Sequence, residues 1–337
     1  MTFNEDYFKK VLIELLSIDS PTGYTKKVTE KLKSYADELG FEHFLTNKGN
    51  LVMKVPGKFD KNIGISAHVD TLGLVVRGYK GDGTLSFSRV GGAILPTLDG
   101  EYCKIYTRGG DVYTGTILSN SPASHVFEDA SELKRDAANM HVKLDEIVKS
   151  EDDVKKLGIL PGDYICFDPK TVITEKGFIK SRFLDDKLSA AIILTVLREV
   201  KPSHNVCAVF SVYEEVGHGL SHLPCDLDEF LAVDMGCIGD DLTCTEYDVS
   251  ICAKDSSGPY DYDMTTRLIE LAKGAGLSYA VDIYPFYGSD VSAARAAGHD
   301  IRGALIGPGV AASHGMERSH MKAAENAAKL LALYLTS

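Results

Sequence analysis

Five short segments of the chain place acids and histidines where they could hold metal ions and move a proton. In Ser66-Ala67-His68-Val69-Asp70-Thr71, His68 and Asp70 are two apart, so on a strand they point to one side. His68 could give a metal a ring nitrogen, and Asp70 could orient that ring or tune the site; alone, the pair fits a structural role equally well. In Phe183-Leu184-Asp185-Asp186-Lys187, adjacent carboxylates repel wherever water is excluded, and a carboxylate bridging two metals would relieve them. A helix N-terminus, where the dipole favours Asp, explains the same pair without a metal.

The third segment is Val212-Tyr213-Glu214-Glu215-Val216-Gly217, where one glutamate could ligate a metal while its neighbour accepts a proton from water. An exposed acidic turn is the alternative, and the apolar run Val206 to Val212 weighs against it. Asp234, in Leu231-Ala232-Val233-Asp234-Met235-Gly236, could simply cap a turn and gains weight from the company of the others. In Ala312 to His320, His314 falls in a loop, where functional residues concentrate, and is preferred to His320, which begins the last helix. Mixed imidazole and carboxylate donors suit zinc, cobalt or manganese, and in two-metal hydrolases such ions lie about 3.5–4 Å apart.

The elements around these segments must put them at one place. Phe8, Val11, Leu12, Leu15 and Leu16 share one helical face, as do Val28, Leu32, Tyr35 and Leu39, with Gly40 as a C-terminal cap. Asn62 to Ala67 reads as a buried strand ending at His68. From about Thr71 the chain turns glycine-rich, with short β-like runs and one short helix near Asp152 to Leu157. Alternating strands and helices return after about Thr174: strands at Val206 to Val212, Phe230 to Val233, Tyr247 to Ala253, Tyr279 to Ile283 and Ile301 to Ile306, with helices between and after them. The expected fold is α/β, a central mixed sheet flanked by helices and interrupted by a small, mostly β insertion. Its domain limits are 1–70 and 174–337 for the catalytic α/β domain and 71–173 for the insertion. The acids and histidines then fall near strand ends, and ligands of open α/β sheets bind beyond the carboxyl ends of strands.

Composition narrows the function. With 44% apolar and 25% charged residues the chain can bury a sizeable core, and its net charge of −12 weighs against nucleic-acid binding and anionic membranes. No apolar stretch is long enough to span a membrane, and the N-terminus lacks the pattern of a signal peptide. The seven cysteines are scattered without a C-x-x-C pair, and Cys166 and Cys207 sit in apolar runs as buried free thiols would. A reducing compartment, the cytoplasm, is the expectation.

The order H-x-D, L-D-D, E-E, V-D and a late loop histidine resembles the TET-type, glutamyl aminopeptidase family of di-metal aminopeptidases. Gly115-Thr116-Ile117-Leu118 and Pro161-Gly162-Asp163-Tyr164-Ile165-Cys166-Phe167 look like its inserted domain, and Tyr287-Gly288-Ser289-Asp290 like its G-T-D segment. The resemblance implies a zinc-peptidase-like fold and two divalent ions, one on His68, Asp185 and Asp234 and the other on Asp185, Glu215 and His314. It also implies Glu214 as general base, Asp70 as partner of His68, short peptides as substrates and a homo-oligomer, dodecameric by family habit. His314-Gly315-Met316 replaces the usual His-Ser-Pro, Lys187 a frequent arginine, and His218 is unusual. These departures leave open a related di-metal amidohydrolase or deacylase and, more remotely, a glycoside hydrolase of the cellulase type.

Overall fold

The computed structural model describes residues 1–337. Helix α1 (Glu5–Leu16) buries Phe8, Val11, Leu12, Leu15 and Leu16, and the Asn4 side chain caps it by accepting from the Tyr7 amide. Helix α2 (Lys26–Leu39) ends at Gly40, whose φ of 73° is a left-handed conformation that glycine adopts without steric penalty. The chain divides into two units, Met1–Thr71 with Lys170–Ser337, and Leu72–Pro169.

The first unit continues with β1 (Glu42–Leu45), β2 (Leu51–Val55) and β3 (Phe59–His68). The second unit holds β4 (Gly73–Tyr79), β5 (Leu85–Val90), β6 (Tyr102–Tyr106), β7 (Val112–Ser119), β8 (Met140–Leu144), the short α3 (Glu151–Lys156) and β9 (Tyr164–Phe167). Its strands close into a barrel in the order β4-β5-β8-β7-β6-β9, so no edge is left unpaired. Alternating burial along β7 (Val112–Ser119) points its inward side chains to the barrel interior.

The chain then returns to the first unit through β10 (Val172–Ile173), β11 (Phe178–Ser181), α4 (Leu184–Glu199), β12 (His204–Ser211), β13 (Glu229–Val233), β14 (Gly236–Cys237), β15 (Val249–Asp255), β16 (Gly258–Pro259), α5 (Tyr262–Gly274), β17 (Tyr279–Ile283), α6 (Asp290–Ala296), β18 (Arg302–Val310), β19 (Glu317–His320) and α7 (Met321–Thr336). A mixed ten-stranded sheet runs β1-β2-β12-β3-β13-β18-β15-β16, with β14 on β18 and β17 on β15. Strands β12, β3, β13 and β18 are parallel to one another at its centre, and β15 runs antiparallel to β18. Buried on both faces, such strands read as continuous apolar runs, as Val206 to Phe210 and Phe230 to Val233 do. Helix α4 is buried all round from Leu184 to Leu197 and packs against α1, α7 and β3.

Gly307 in β18 is required by its neighbour. A Cβ there would sit 1.3 Å from the Asp234 carbonyl oxygen, so only glycine lets β18 pass the end of β13.

One expectation is overturned. Cys207 is not a free thiol but forms a disulfide with Cys225, 18 residues on, while Cys103, Cys166, Cys237, Cys244 and Cys252 are free. The pairing joins β12 to the loop before β13, a contact made by the fold that an apolar run around Cys207 does not reveal.

Candidate metal centre

The carboxyl ends of the parallel strands deliver the chemistry. β3 ends at His68, whose Nε2 lies 2.9 Å from Asp185 Oδ1 and whose Nδ1 lies 3.0 Å from the Asp70 carbonyl oxygen. Asp185 and Asp186 lie where β11 passes into α4, joined by a cis peptide bond, and both are buried. The second oxygen of Asp185 reaches His314 Nε2 at 3.5 Å, so the two oxygens of this carboxylate address two histidines separately. Glu214 and Glu215 follow β12 on a short 3₁₀ turn. Glu215 Oε2 stands 3.5 Å from His314 Nε2, and Glu214 Oε2 stands 3.7 Å from His68 Nε2. Their exposures separate them: the Glu214 side chain keeps 16% of its surface open, Glu215 3%.

Asp234 follows β13, buried, and its Oδ1 accepts from the Met235 amide at 2.6 Å. Donor atoms of His68, Asp186 and Asp234 all lie within 4.8 Å of one another. Asp186 therefore belongs to the cluster, although the sequence gives it no role distinct from that of Asp185. One of its oxygens accepts from the His68 amide at 3.2 Å, and the other is buried without a hydrogen-bond partner.

The Asp70 carboxylate works on the backbone: it accepts from the Glu214 and Glu215 amides at 3.3 Å each and from Thr22 Oγ1 at 2.7 Å, with Oδ1 3.6 Å from His68 Nδ1. Asp290, in the Gly-Ser-Asp segment, accepts from Ser211 Oγ at 2.7 Å and from the Leu220 amide at 3.0 Å. It thereby ties both ends of the loop that carries the two glutamates. His320 is turned elsewhere, with Nε2 2.8 Å from the Lys176 carbonyl oxygen and Nδ1 accepting from the Lys322 amide to cap α7. His314 is the histidine that the fold brings to the cluster.

The electrostatics follow from the burial and crowding of the acids. Burial, followed by repulsion from Asp185, pushes Asp234 up to about 7. Burial likewise raises Asp186, Glu214 and Glu215 well above the ordinary carboxylate range, with neighbouring carboxylates adding to the shift. Burial opposes charge on His68, but the hydrogen bond its ring donates to Asp185 and the pull of Glu214 and Asp234 outweigh it and hold its pKa well above normal. An orphaned buried carboxylate oxygen, convergent imidazole and carboxylate donors and an excess of negative charge together fit divalent cations.

The chain is similar to known proteins along nearly its whole length. The sequence model of the M42 glutamyl aminopeptidase family matches residues 49–330. YhfE of Bacillus subtilis (strain 168), whose name provisionally calls it an aminopeptidase, is 44% identical over 335 residues, covering 97% of each chain. An aminopeptidase of the archaeon Desulfurococcus kamchatkensis superposes with a TM-score of 0.88 at 23% identity, over 99% of this chain and 95% of its own. The Pyrococcus horikoshii TET1 peptidase, which can assemble into a tetrahedron or a large octahedral shell, superposes with a TM-score of 0.85 at 20% identity, over 98% and 99%.

Proposed function

The chain belongs to the M42 glutamyl aminopeptidase family, and on that premise we propose that it removes N-terminal residues from short peptides at a centre for two divalent cations. The observation that carries the reading is the position of Asp185, whose two oxygens reach toward His68 and His314 at 2.9 and 3.5 Å. His68, Asp185 and Asp234 would hold one ion; Asp185, Glu215 and His314 would hold the other. Zinc or cobalt suits the donors best, with manganese as a further option. When bound, the ions supply Lewis acidity that polarises the scissile carbonyl and acidifies a water.

Glu214 is the general base of this reading, because it alone of the adjacent glutamates keeps an open face while lying 3.7 Å from His68. Its carboxylate takes the proton of the attacking water and returns it to the leaving amine, help worth about 10²–10⁴ in rate. Asp70 holds the Glu214 and Glu215 amides, which fixes where both carboxylates point. A homo-oligomer, dodecameric like TET shells, and a cytoplasmic location complete the proposal; no helix is long and apolar enough to cross a membrane.

The test is a panel of aminoacyl and N-acylated substrates assayed after chelation and reconstitution with zinc, cobalt or manganese. Metal-dependent release of the N-terminal residue supports the reading. Turnover of N-acylated substrates alone would replace it with a deacylase, and chelator-insensitive cleavage of a glycan with a glycosidase.

A further inference from the structure

Glu317 belongs to none of the five segments' donor sets as assigned above, yet it is buried to 2% exposure against two of them. Pairing of β19 with β11 sets Glu317 opposite Ser181, four residues before Asp185. Its Oε2 accepts from the Asp185 amide at 3.1 Å, and its Oε1 accepts from the His314 amide at 3.0 Å. One carboxylate thus spans the backbones of two ligands drawn from distant parts of the chain.

The backbone at both places needs holding. His314 has a φ of 64° and Ala312 a φ of 58°, left-handed conformations that side chains other than glycine adopt only under constraint. The loop is closed by paired bonds between Ala311 and Arg318 and by the Gly315 amide donating to the Ala312 carbonyl at 3.0 Å. Phe183, two residues before Asp185, is also left-handed at φ 67°. Asp70 holds the Glu214 and Glu215 amides in the same manner, so two buried carboxylates grip four backbone amides of the cluster.

We propose that Glu317 is a positioning residue that locks Asp185 and His314 in register, and so sets the affinity of the half of the centre formed by Asp185, Glu215 and His314. It touches no reacting atom, and its role rests on the two-metal reading above. In Glu317→Gln the volume is kept, but one acceptor becomes a donor facing an amide N–H, so one of the two bonds is lost.

Metal content by elemental analysis, titrated affinity and the visible spectrum of the cobalt-loaded protein are the readouts. Wild type should hold two ions. Glu317→Gln should lose one selectively, with affinity for it about 10–100-fold weaker and an altered cobalt spectrum. The control Glu42→Gln, which removes an exposed partner of Lys54 on β1, should keep both ions and the wild-type spectrum. Two ions at wild-type affinity with an unchanged spectrum in Glu317→Gln overturn the positioning role and leave the two-metal reading standing; a wild type that binds no ions overturns both. If Glu317→Gln does not fold, hydrogen exchange on the metal-free wild type decides. Protection of the Asp185 and His314 amides supports the lock, and rapid exchange at both overturns it.

Discussion

Strand β13 has a carboxylate at each end, and the two are opposites. Glu229 starts the strand, and its side chain is 1% exposed. Lys61 Nζ lies 2.7 Å and Arg302 Nη2 2.9 Å from its Oε1, while Arg267 and the Tyr334 hydroxyl at 2.9 Å meet its Oε2. Burial opposes ionisation there, but hydrogen bonds from Lys61, Arg267 and Tyr334 prevail and draw the group down to about 2. Asp234 follows the strand's other end, buried among Asp185, Asp186 and Glu214 and pushed up to about 7. At one end the chain brings its own cations to neutralise a buried charge; at the other it gathers more acids. A fold that neutralises one buried acid so fully and leaves its neighbour's repulsion standing is what the proposed metal centre predicts, since a bound cation would supply the missing positive charge.

The sharpest way to break this contrast lies beside Asp234. Glu214→Gln should lower kcat about 10²–10⁴-fold while elemental analysis still finds two ions; substantial residual turnover would remove Glu214 from its role. Next come the two ends of β13 themselves. Glu229→Gln leaves the partly exposed Lys61, Arg267 and Arg302 facing a neutral group and should lose about 1–3 kcal/mol in denaturant unfolding. Asp234→Asn relieves repulsion, so at pH 8 the metal-free protein should gain roughly 1–3 kcal/mol even as metal affinity falls about 10–100-fold. If both variants shift stability in the same direction, the contrast fails.

The pH dependence follows with opposite signs. Glu229 has a depressed pKa, so its contribution is present above its ordinary value of 4.5 and is lost as pH falls toward about 2. Asp234 has a raised pKa, so its contribution is full below its ordinary value of 3.8 and is lost as pH rises through about 7. Tm of the metal-free protein should therefore fall on both the acidic and the neutral side, and added metal should flatten only the neutral limb. The smallest effect belongs to His320. Its alanine variant should keep both ions, whereas His314→Ala should lose metal; equal stoichiometry in the two would shift attention from His314.

Much of the fold was legible because it is local. The 3.6-residue apolar faces mark α1 and α2, and the apolar runs before His68, Glu214 and Asp234 mark the central strands. What was not legible depends on distant partners. The two-residue strand β10, the small sheet β10-β11-β19 and the closing pair β4 with β9 leave no period to read. The Cys207–Cys225 disulfide and the insertion of Asp186 among His68 and Asp234 are likewise products of how segments meet. Glu317 carried one available signal, an acid three residues after His314, but nothing in its spacing points to Asp185, 132 residues away.

The sequence by itself determined the donor types, their order and their positions at strand ends, since ligand chemistry belongs to the side chain and strand direction to the apolar run. In Glu229-Phe230-Leu231-Ala232-Val233-Asp234 it even places an acid at each end of one strand. Only the tertiary structure decided which acid is neutralised and which is left in need of a cation. That depends on charges arriving from Lys61, Arg267 and Arg302 at one end and from Asp185 and Glu214 at the other. Coulomb interaction at a buried site is set by distance through space, and distance along the chain does not encode it.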